Sequence, residues 1–245
     1  MIRNLLLISN STNAGEEYLA WPRQHIKSFL DHYGVKKVLF VPYAGVNLSP
    51  ESVLRSYDLY EERVKGIFRT MGFELTSAHR ESNPVNAVNE AESVVVGGGN
   101  TFHLVHMMHE TGLMEAIRRK VARGIPYVGW SAGANVACPT MKTTNDMPIC
   151  EPPSFNSLKL VPFQINPHYL DANPSGHAGE TREQRILEFL AVNRTTTVVG
   201  LREACLLKVE GDAMTLAGSR PLRVFRFGTE PVEYTASDHL DFLLQ

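Results

Sequence analysis

Residues 125–137 read Ile125-Pro126-Tyr127-Val128-Gly129-Trp130-Ser131-Ala132-Gly133-Ala134-Asn135-Val136-Ala137. An apolar strand runs into a tight turn and out into a helix of small residues. A serine at such a corner holds a strained backbone, so its neighbours must be small, and Gly129 and Gly133 meet that need. The helix that follows turns free N–H groups and its dipole toward the serine, which favours the oxyanion of an acyl transfer. Ser131 is therefore a candidate nucleophile. The plainer alternative is a βα turn whose serine only caps a helix.

Outward from this corner the chain keeps alternating. Strands are expected at Leu5–Ser9, Lys37–Val41, Phe73–Ser77, Ser93–Val96, Tyr127–Trp130, Pro162–Ile165 and Thr197–Leu201. Helical periodicity falls at Glu16–Tyr33, Glu51–Met71, Phe102–His109, Leu113–Arg123, Ala132–Ala137 and Arg182–Val192. Short apolar runs separated by such helices predict an α/β fold, doubly wound, with a mostly parallel sheet and helices on both faces. After Leu201 the pattern changes to a hairpin, Cys205–Val209 and Ala213–Ala217 about Glu210-Gly211-Asp212, with a further strand at Arg223–Phe227. These read as an antiparallel edge of the same unit. No linker or repeat interrupts residues 1–245, so one catalytic α/β domain is expected. Residues 139–181 carry seven prolines and little periodicity, the mark of a functional irregular segment.

Composition narrows the function. The 245 residues are 43% hydrophobic and 20% charged, with 24 Lys and Arg against 26 Asp and Glu and a net charge of −2. That balance gives no support for nucleic acid or an anionic membrane as main partner. The three cysteines are widely spaced and lack C-x-x-C pairing, against a disulfide framework or zinc site. The apolar run at the N-terminus is short for a signal peptide and no stretch approaches a membrane span, so a cytoplasmic protein is expected.

Acyl transfer needs a base beside the nucleophile and donors for the oxyanion. Nine histidines are available. His103, His106 and His109 share a helical segment without neighbouring carboxylates and read as a solvated helix surface; His25, His32, His79 and His239 lack supporting residues. His168 follows the apolar Phe163-Gln164-Ile165 and the pair Asn166-Pro167, at the kind of strand end where ligands bind in parallel sheets. His177 is a nearby competitor, and a turn histidine bonding its own backbone is the plainer reading of His168. Val94-Val95-Val96-Gly97-Gly98-Gly99-Asn100-Thr101 is a strand, three glycines and a helix start without the G-x-G-x-x-G spacing of a dinucleotide loop. Beside Ser131, the N–H of Gly99 could pair with that of Ala132 as an oxyanion hole; a plain βα turn is the alternative. Thr181 and Gln184 fit a capping box, which puts Arg182 in a first helical turn where it could hold a carboxylate.

With these pieces, the chain resembles the alpha-aspartyl dipeptidase (peptidase E) family of serine peptidases. The likeness runs through Ser9-Asn10-Ser11-Thr12, Val96-Gly97-Gly98-Gly99-Asn100-Thr101-Phe102, Gly129-Trp130-Ser131-Ala132-Gly133-Ala134-Asn135 and Thr143-Thr144-Asn145-Asp146-Met147-Pro148. It continues in Gln164-Ile165-Asn166-Pro167-His168 and Gly179-Glu180-Thr181-Arg182-Glu183-Gln184-Arg185. The resemblance implies a fold related to class I glutamine amidotransferases and metal-free, cofactor-free hydrolysis of dipeptides with an N-terminal L-aspartate. It implies Ser131 as nucleophile, His168 as base, and either Asp146 or Glu203 as the acid. Glu203 is favoured, because it follows an apolar strand that would hold it rigidly, leaving Asp146 to meet the substrate's α-ammonium. Arg182 would then read the β-carboxylate. Residues 48–63 look longer and more charged than the family pattern, and the tail after Gly228 is not covered. Two rivals stand beside this reading: a cyanophycinase-like peptidase acting on β-aspartyl links, and a non-catalytic ligand-binding member of the fold.

Overall fold

In the computed structural model, which describes residues 2–173, 176 and 178–245, the alternation begins with β1 (Asn4–Ile8), α1 (Arg23–His32), β2 (Lys37–Val41), α2 (Val53–Met71) and β3 (Glu74–Ser77). Next come α3 (Pro84–Glu90), β4 (Val94–Val96), α4 (Thr101–Glu110), α5 (Leu113–Ala122), β5 (Tyr127–Trp130) and α6 (Ala132–Asn135). The remainder holds β6 (Gln164–Tyr169), α7 (Arg182–Val192), β7 (Val198–Arg202), β8 (Cys205–Glu210), β9 (Ala213–Gly218), β10 (Leu222–Phe225) and β11 (Val232–Tyr234).

Seven strands form one sheet in the order β3-β2-β4-β5-β1-β8-β9. The first five are parallel, and β8 and β9 add an antiparallel edge beside β1. Successive side chains of a strand point to opposite faces, and here both faces are buried. Leu5, Leu7, Val94 and Val96 pack into one apolar cluster; Leu6, Ile8, Val95 and Trp130 pack into the other. This explains why the central strands read as unbroken apolar runs instead of alternating ones.

The helices end where side chains and glycines dictate. Ser52 accepts a hydrogen bond from the Arg55 N–H at the start of α2, and Gly72, at φ 94°, closes its other end. The capping box expected at Thr181 and Gln184 opens α7. The expected helix over 16–33 begins only at Arg23, directly after Pro22, and Leu19 sits at φ 56°, outside helical geometry. A short helix missed in the sequence, α3, carries its own signal: Asn83 caps it and Pro84 occupies its first turn.

One topological expectation needs refinement. The strands near 162–165, 197–201 and 223–227 do not extend the main sheet; β6, β7, β10 and β11 build a separate four-stranded sheet, ordered β11-β10-β7-β6. The reason is that β8 already occupies the free side of β1. The chain leaves β7 at Arg202 and enters β8 at Cys205, turning through Ala204 at φ 61°. That corner joins the two sheets. Among the described residues, no helix is long and apolar enough to cross a membrane.

Candidate active site

The Ser131 corner is built by close approach. A Cβ on Gly129 would lie 2.3 Å from the Gly133 carbonyl oxygen, and one on Gly133 would lie 2.2 Å from that of Val96. Only glycine allows the strand and helix to pack so tightly. Ser131 takes φ 54° and ψ −112°, its N–H donates to the Ile8 carbonyl at 2.9 Å, and its hydroxyl makes no capping bond to α6. The backbone is thus anchored while the side chain is presented outward.

His168 faces it from the second sheet. It sits inside β6, where the register against β7 shifts between Pro167 and Tyr169, and its φ is 53°. A bulge of this kind re-aims a side chain, and here the ring reaches the main sheet. Nε2 lies 2.9 Å from Ser131 Oγ, and Nδ1 lies 2.8 Å from Glu203 Oε1. A carboxylate at Nδ1 selects the tautomer that donates there and leaves Nε2 to accept the serine proton. Both partners are partly open to solvent, with side chains 39% and 42% exposed.

Two residues at the end of β1 brace this pair. The Ser9 hydroxyl accepts the His168 backbone N–H at 2.9 Å and itself donates to the Leu201 carbonyl at 2.7 Å. The Asn10 side-chain oxygen accepts the Ala204 N–H at 2.8 Å, one residue past Glu203. In the sequence Ser9 ends the first expected strand and Asn10 follows it within a matching block, with no sign of this bracing role in the residue types themselves. Their place at the carboxyl end of a central strand was the available signal.

Asp146 stands elsewhere. Its Oδ2 accepts from the Thr101 N–H at 2.7 Å, the Thr101 hydroxyl at 2.6 Å and the Thr144 hydroxyl at 3.0 Å, so it caps α4 instead of bonding the His168 ring. Arg182 donates to Asn145 Oδ1 at 2.6 Å. Burial, with the like charge of Arg185, pulls the Arg182 pKa down, and Asp146 opposes that shift. The two opposite charges therefore sense each other without forming an ion pair within 4.0 Å.

Two cavities meet at Ser131 and His168, which alone among the described residues line both. The smaller, about 250 Å³, is walled by Thr101, Asn145, Asp146 and Arg182. The larger, about 460 Å³, is walled by Gly98, Gly99, Tyr18 and Tyr60 among others. Gly99 has φ 134°, and a Cβ there would strike the Ala44 carbonyl at 2.2 Å. The Gly98 carbonyl accepts from the Tyr60 hydroxyl at 3.0 Å, which in a trans peptide turns the Gly99 N–H away from Tyr60. Ala132 opens α6, so its N–H lies among those with no partner inside the helix.

Three other histidines make structural bonds. Ring nitrogens of His103, His106 and His109 bond the carbonyls of Tyr43 (2.9 Å), Glu151 (3.2 Å) and Asn156 (3.0 Å). They do more than face solvent: the last two fasten the proline-rich segment to α4. His177 lies outside the described residues. Among the described residues, no group of three or more His, Cys, Asp or Glu is arranged to hold a metal ion.

The profile of peptidase family S51 matches residues 5–217 of this sequence. The chain belongs to peptidase family S51. It is similar to a protein called peptidase E from a Nostoc species, with 52% identity over 245 residues, covering 100% of this chain and 98% of the relative. A second peptidase E, from Streptomyces coelicolor, is 47% identical over 242 residues, covering 98% and 95%. In three dimensions the S51 chain is similar to the crystal structure of a peptidase from an acI-B1 Actinobacterium, with a TM-score of 0.71 and 18% identity over 98% of this chain and 97% of that one. At that identity the likeness concerns the fold. This S51 protein is a serine peptidase, on the family match and its full-length relatives.

Proposed function

We propose that this peptidase hydrolyses dipeptides with an N-terminal L-aspartate, with Ser131 as nucleophile, His168 as general base and Glu203 as the group that orients it. The observation that carries the reading is a continuous relay next to a cavity with opposite charges. Ser131 Oγ, His168 Nε2, His168 Nδ1 and Glu203 Oε1 follow one another at 2.9 and 2.8 Å, and Asp146 and Arg182 wall the smaller cavity beside them. An N-terminal aspartate presents an α-ammonium and a β-carboxylate to such a cavity. Asp146 receives the first and Arg182 the second, with a bidentate fork that suits a carboxylate.

In the proposed reaction Ser131 Oγ attacks the peptide carbonyl as its proton passes to His168 Nε2. The oxyanion is held by the N–H groups of Gly99 and Ala132; one such donor is typically worth about 10²–10³ in turnover. The C–N bond breaks as His168 returns the proton to the departing amine. Water then attacks the acyl-serine with His168 again as base, releasing aspartate and restoring the hydroxyl. Glutamate, one methylene longer, sets its carbonyl away from Ser131, and a displacement of about 1 Å can cost about 10²-fold. Three free cysteines agree with a reducing, cytoplasmic location.

The test is release of free aspartate from Asp-Leu, with Glu-Leu and β-Asp-Leu alongside, for wild type and Ser131→Ala. We expect cleavage of Asp-Leu by wild type alone. Preferential turnover of β-Asp-Leu would replace the reading with a β-aspartyl peptidase, and undiminished turnover by Ser131→Ala would remove Ser131 from the mechanism.

A further inference from the structure

We propose that the larger cavity receives the residue on the far side of the scissile bond, and that Arg63 binds that residue's free α-carboxylate. This rests on the aspartyl-dipeptide reading above and extends it to the leaving half of the substrate.

The argument begins with charge. A dipeptide Asp-Xaa carries an ammonium and a carboxylate on its first residue and one carboxylate on its second. The smaller cavity offers Asp146 and Arg182, one group of each sign. Among the residues lining the larger cavity, Arg63 is the only lysine, arginine, aspartate or glutamate. A site with a cation and no carboxylate suits the half of the substrate that has no ammonium. Both cavities reach Ser131, so a peptide laid across the serine has one residue in each.

Reach agrees. An extended chain advances at most about 3.3–3.6 Å per residue. The terminal carboxylate of a dipeptide therefore ends about one residue beyond the attacked carbonyl, and Ser131 and Arg63 line one cavity. Arg63 itself projects from α2 at an exposed position, the mouth side of such a pocket. No carboxylate stands within 4.0 Å of its guanidinium among the described residues.

Its support is stiff. The guanidinium lies over the Tyr18 ring, 5.4 Å from the centroid. Tyr18 and Tyr60 share a hydroxyl hydrogen bond of 2.8 Å, and the Trp130 indole N–H donates to both, at 2.9 and 3.1 Å. Trp130 is the residue before Ser131, so the platform under Arg63 and the nucleophile are one rigid unit. An arginine stacked on an aromatic face loses less freedom on binding a carboxylate than a free one. The flanking walls include Val46, Leu48 and Ile149, which favour an apolar side chain at the second position.

The experiment compares kcat/KM for Asp-Leu and Asp-Leu amide with wild type, Arg63→Met and Arg63→Lys. The methionine keeps an apolar stem over Tyr18 and removes the charge. Wild type is expected to prefer the free acid by about 10-fold, mainly through KM, as for a charge-assisted contact at a partly solvated site. Arg63→Met should cleave acid and amide with equal efficiency, and Arg63→Lys should recover part of the preference. Equal cleavage of both by wild type, or a loss in Arg63→Met that is the same for both, would overturn the assignment while leaving the aspartyl-dipeptide reading intact. No aspartate from either substrate with wild type would overturn both.

Discussion

Ser131 and His168 both hold left-handed backbone angles, φ 54° and 53°, that side chains other than glycine rarely adopt. Such angles cost about 1–3 kcal/mol each and persist where the surroundings over-determine them. Here the Ile8 carbonyl fixes the Ser131 N–H and the Ser9 hydroxyl fixes that of His168. The strain is spent on aiming two side chains at each other from different sheets. Glu203 completes the line, and the proposed roles separate it from Asp146. Glu203→Gln should lower kcat by about 10²–10³ with little change in KM, less than for a fully buried acid because Glu203 is 42% exposed. Asp146→Asn should act mainly on KM for Asp-Leu. Steady-state kinetics of the two variants decide it, and the opposite pattern would exchange the roles. The apolar strand before it, the flanking glycines and the small-residue helix after it pointed to Ser131. His168 was legible from the strand before it, although its competitor His177 could not be set aside on sequence. Glu203 was offered by the resemblance beside Asp146 and favoured by the apolar strand before it; its distance of 35 residues from the histidine leaves no spacing to read.

At the scale of the element, the corner between β5 and α6 depends on backbone touching backbone. Gly133→Ala would press a methyl group against the Val96 carbonyl, 2.2 Å from the ideal Cβ position, and neither β4 nor α6 can yield cheaply. Overpacking of this kind typically costs about 1–3 kcal/mol. We expect a lowered midpoint in urea together with a fall in kcat, since any shift of α6 displaces the Ala132 N–H. An unchanged midpoint would mean that the close approach is not needed. The elements themselves were mostly legible: Lys37–Val41, Tyr127–Trp130 and Arg182–Val192 have the expected bounds. Where the reading failed, a local cue had been outweighed. Helical periodicity over 16–33 overran Pro22, and the short α3 was hidden by its few buried positions, Val88 alone being fully covered.

For the whole molecule, the assignment of strands to sheets was the least legible feature, because it depends on which edge is already occupied. The smaller sheet is clasped by Arg202, buried at the end of β7. It donates to Asp171 through Nε at 2.9 Å and through Nη2, to Glu233 through both Nη atoms at 2.7 Å, and to the Pro221 carbonyl at 2.7 Å. These bonds hold the Asp171 carboxyl below its ordinary range, hydrogen bonding from Arg202 outweighing desolvation. A carboxyl lowered in the folded state contributes stability that is complete above its unfolded value, about 3.9, and fades as pH falls through the folded value. Asp171→Asn should therefore be less stable than wild type at neutral pH, by about 0.5–1 kcal/mol given that Asp171 is 56% exposed. The gap should close in acid below about pH 4. Thermal melts across pH measure it, and a gap that stays constant would refute the contribution.

The corner at Glu203 and Ala204 carries a further meaning. Ser131 belongs to the larger sheet, His168 to the smaller, and Glu203 to the hinge that joins them. No single sheet owns the relay. Its 2.9 Å link from imidazole to hydroxyl spans the seam between two independently hydrogen-bonded slabs, so a sliding of one slab by an ångström would disconnect the proposed proton transfer while leaving both intact. The proposed catalytic line would work as a latch across that seam, competent only when the two halves are in register.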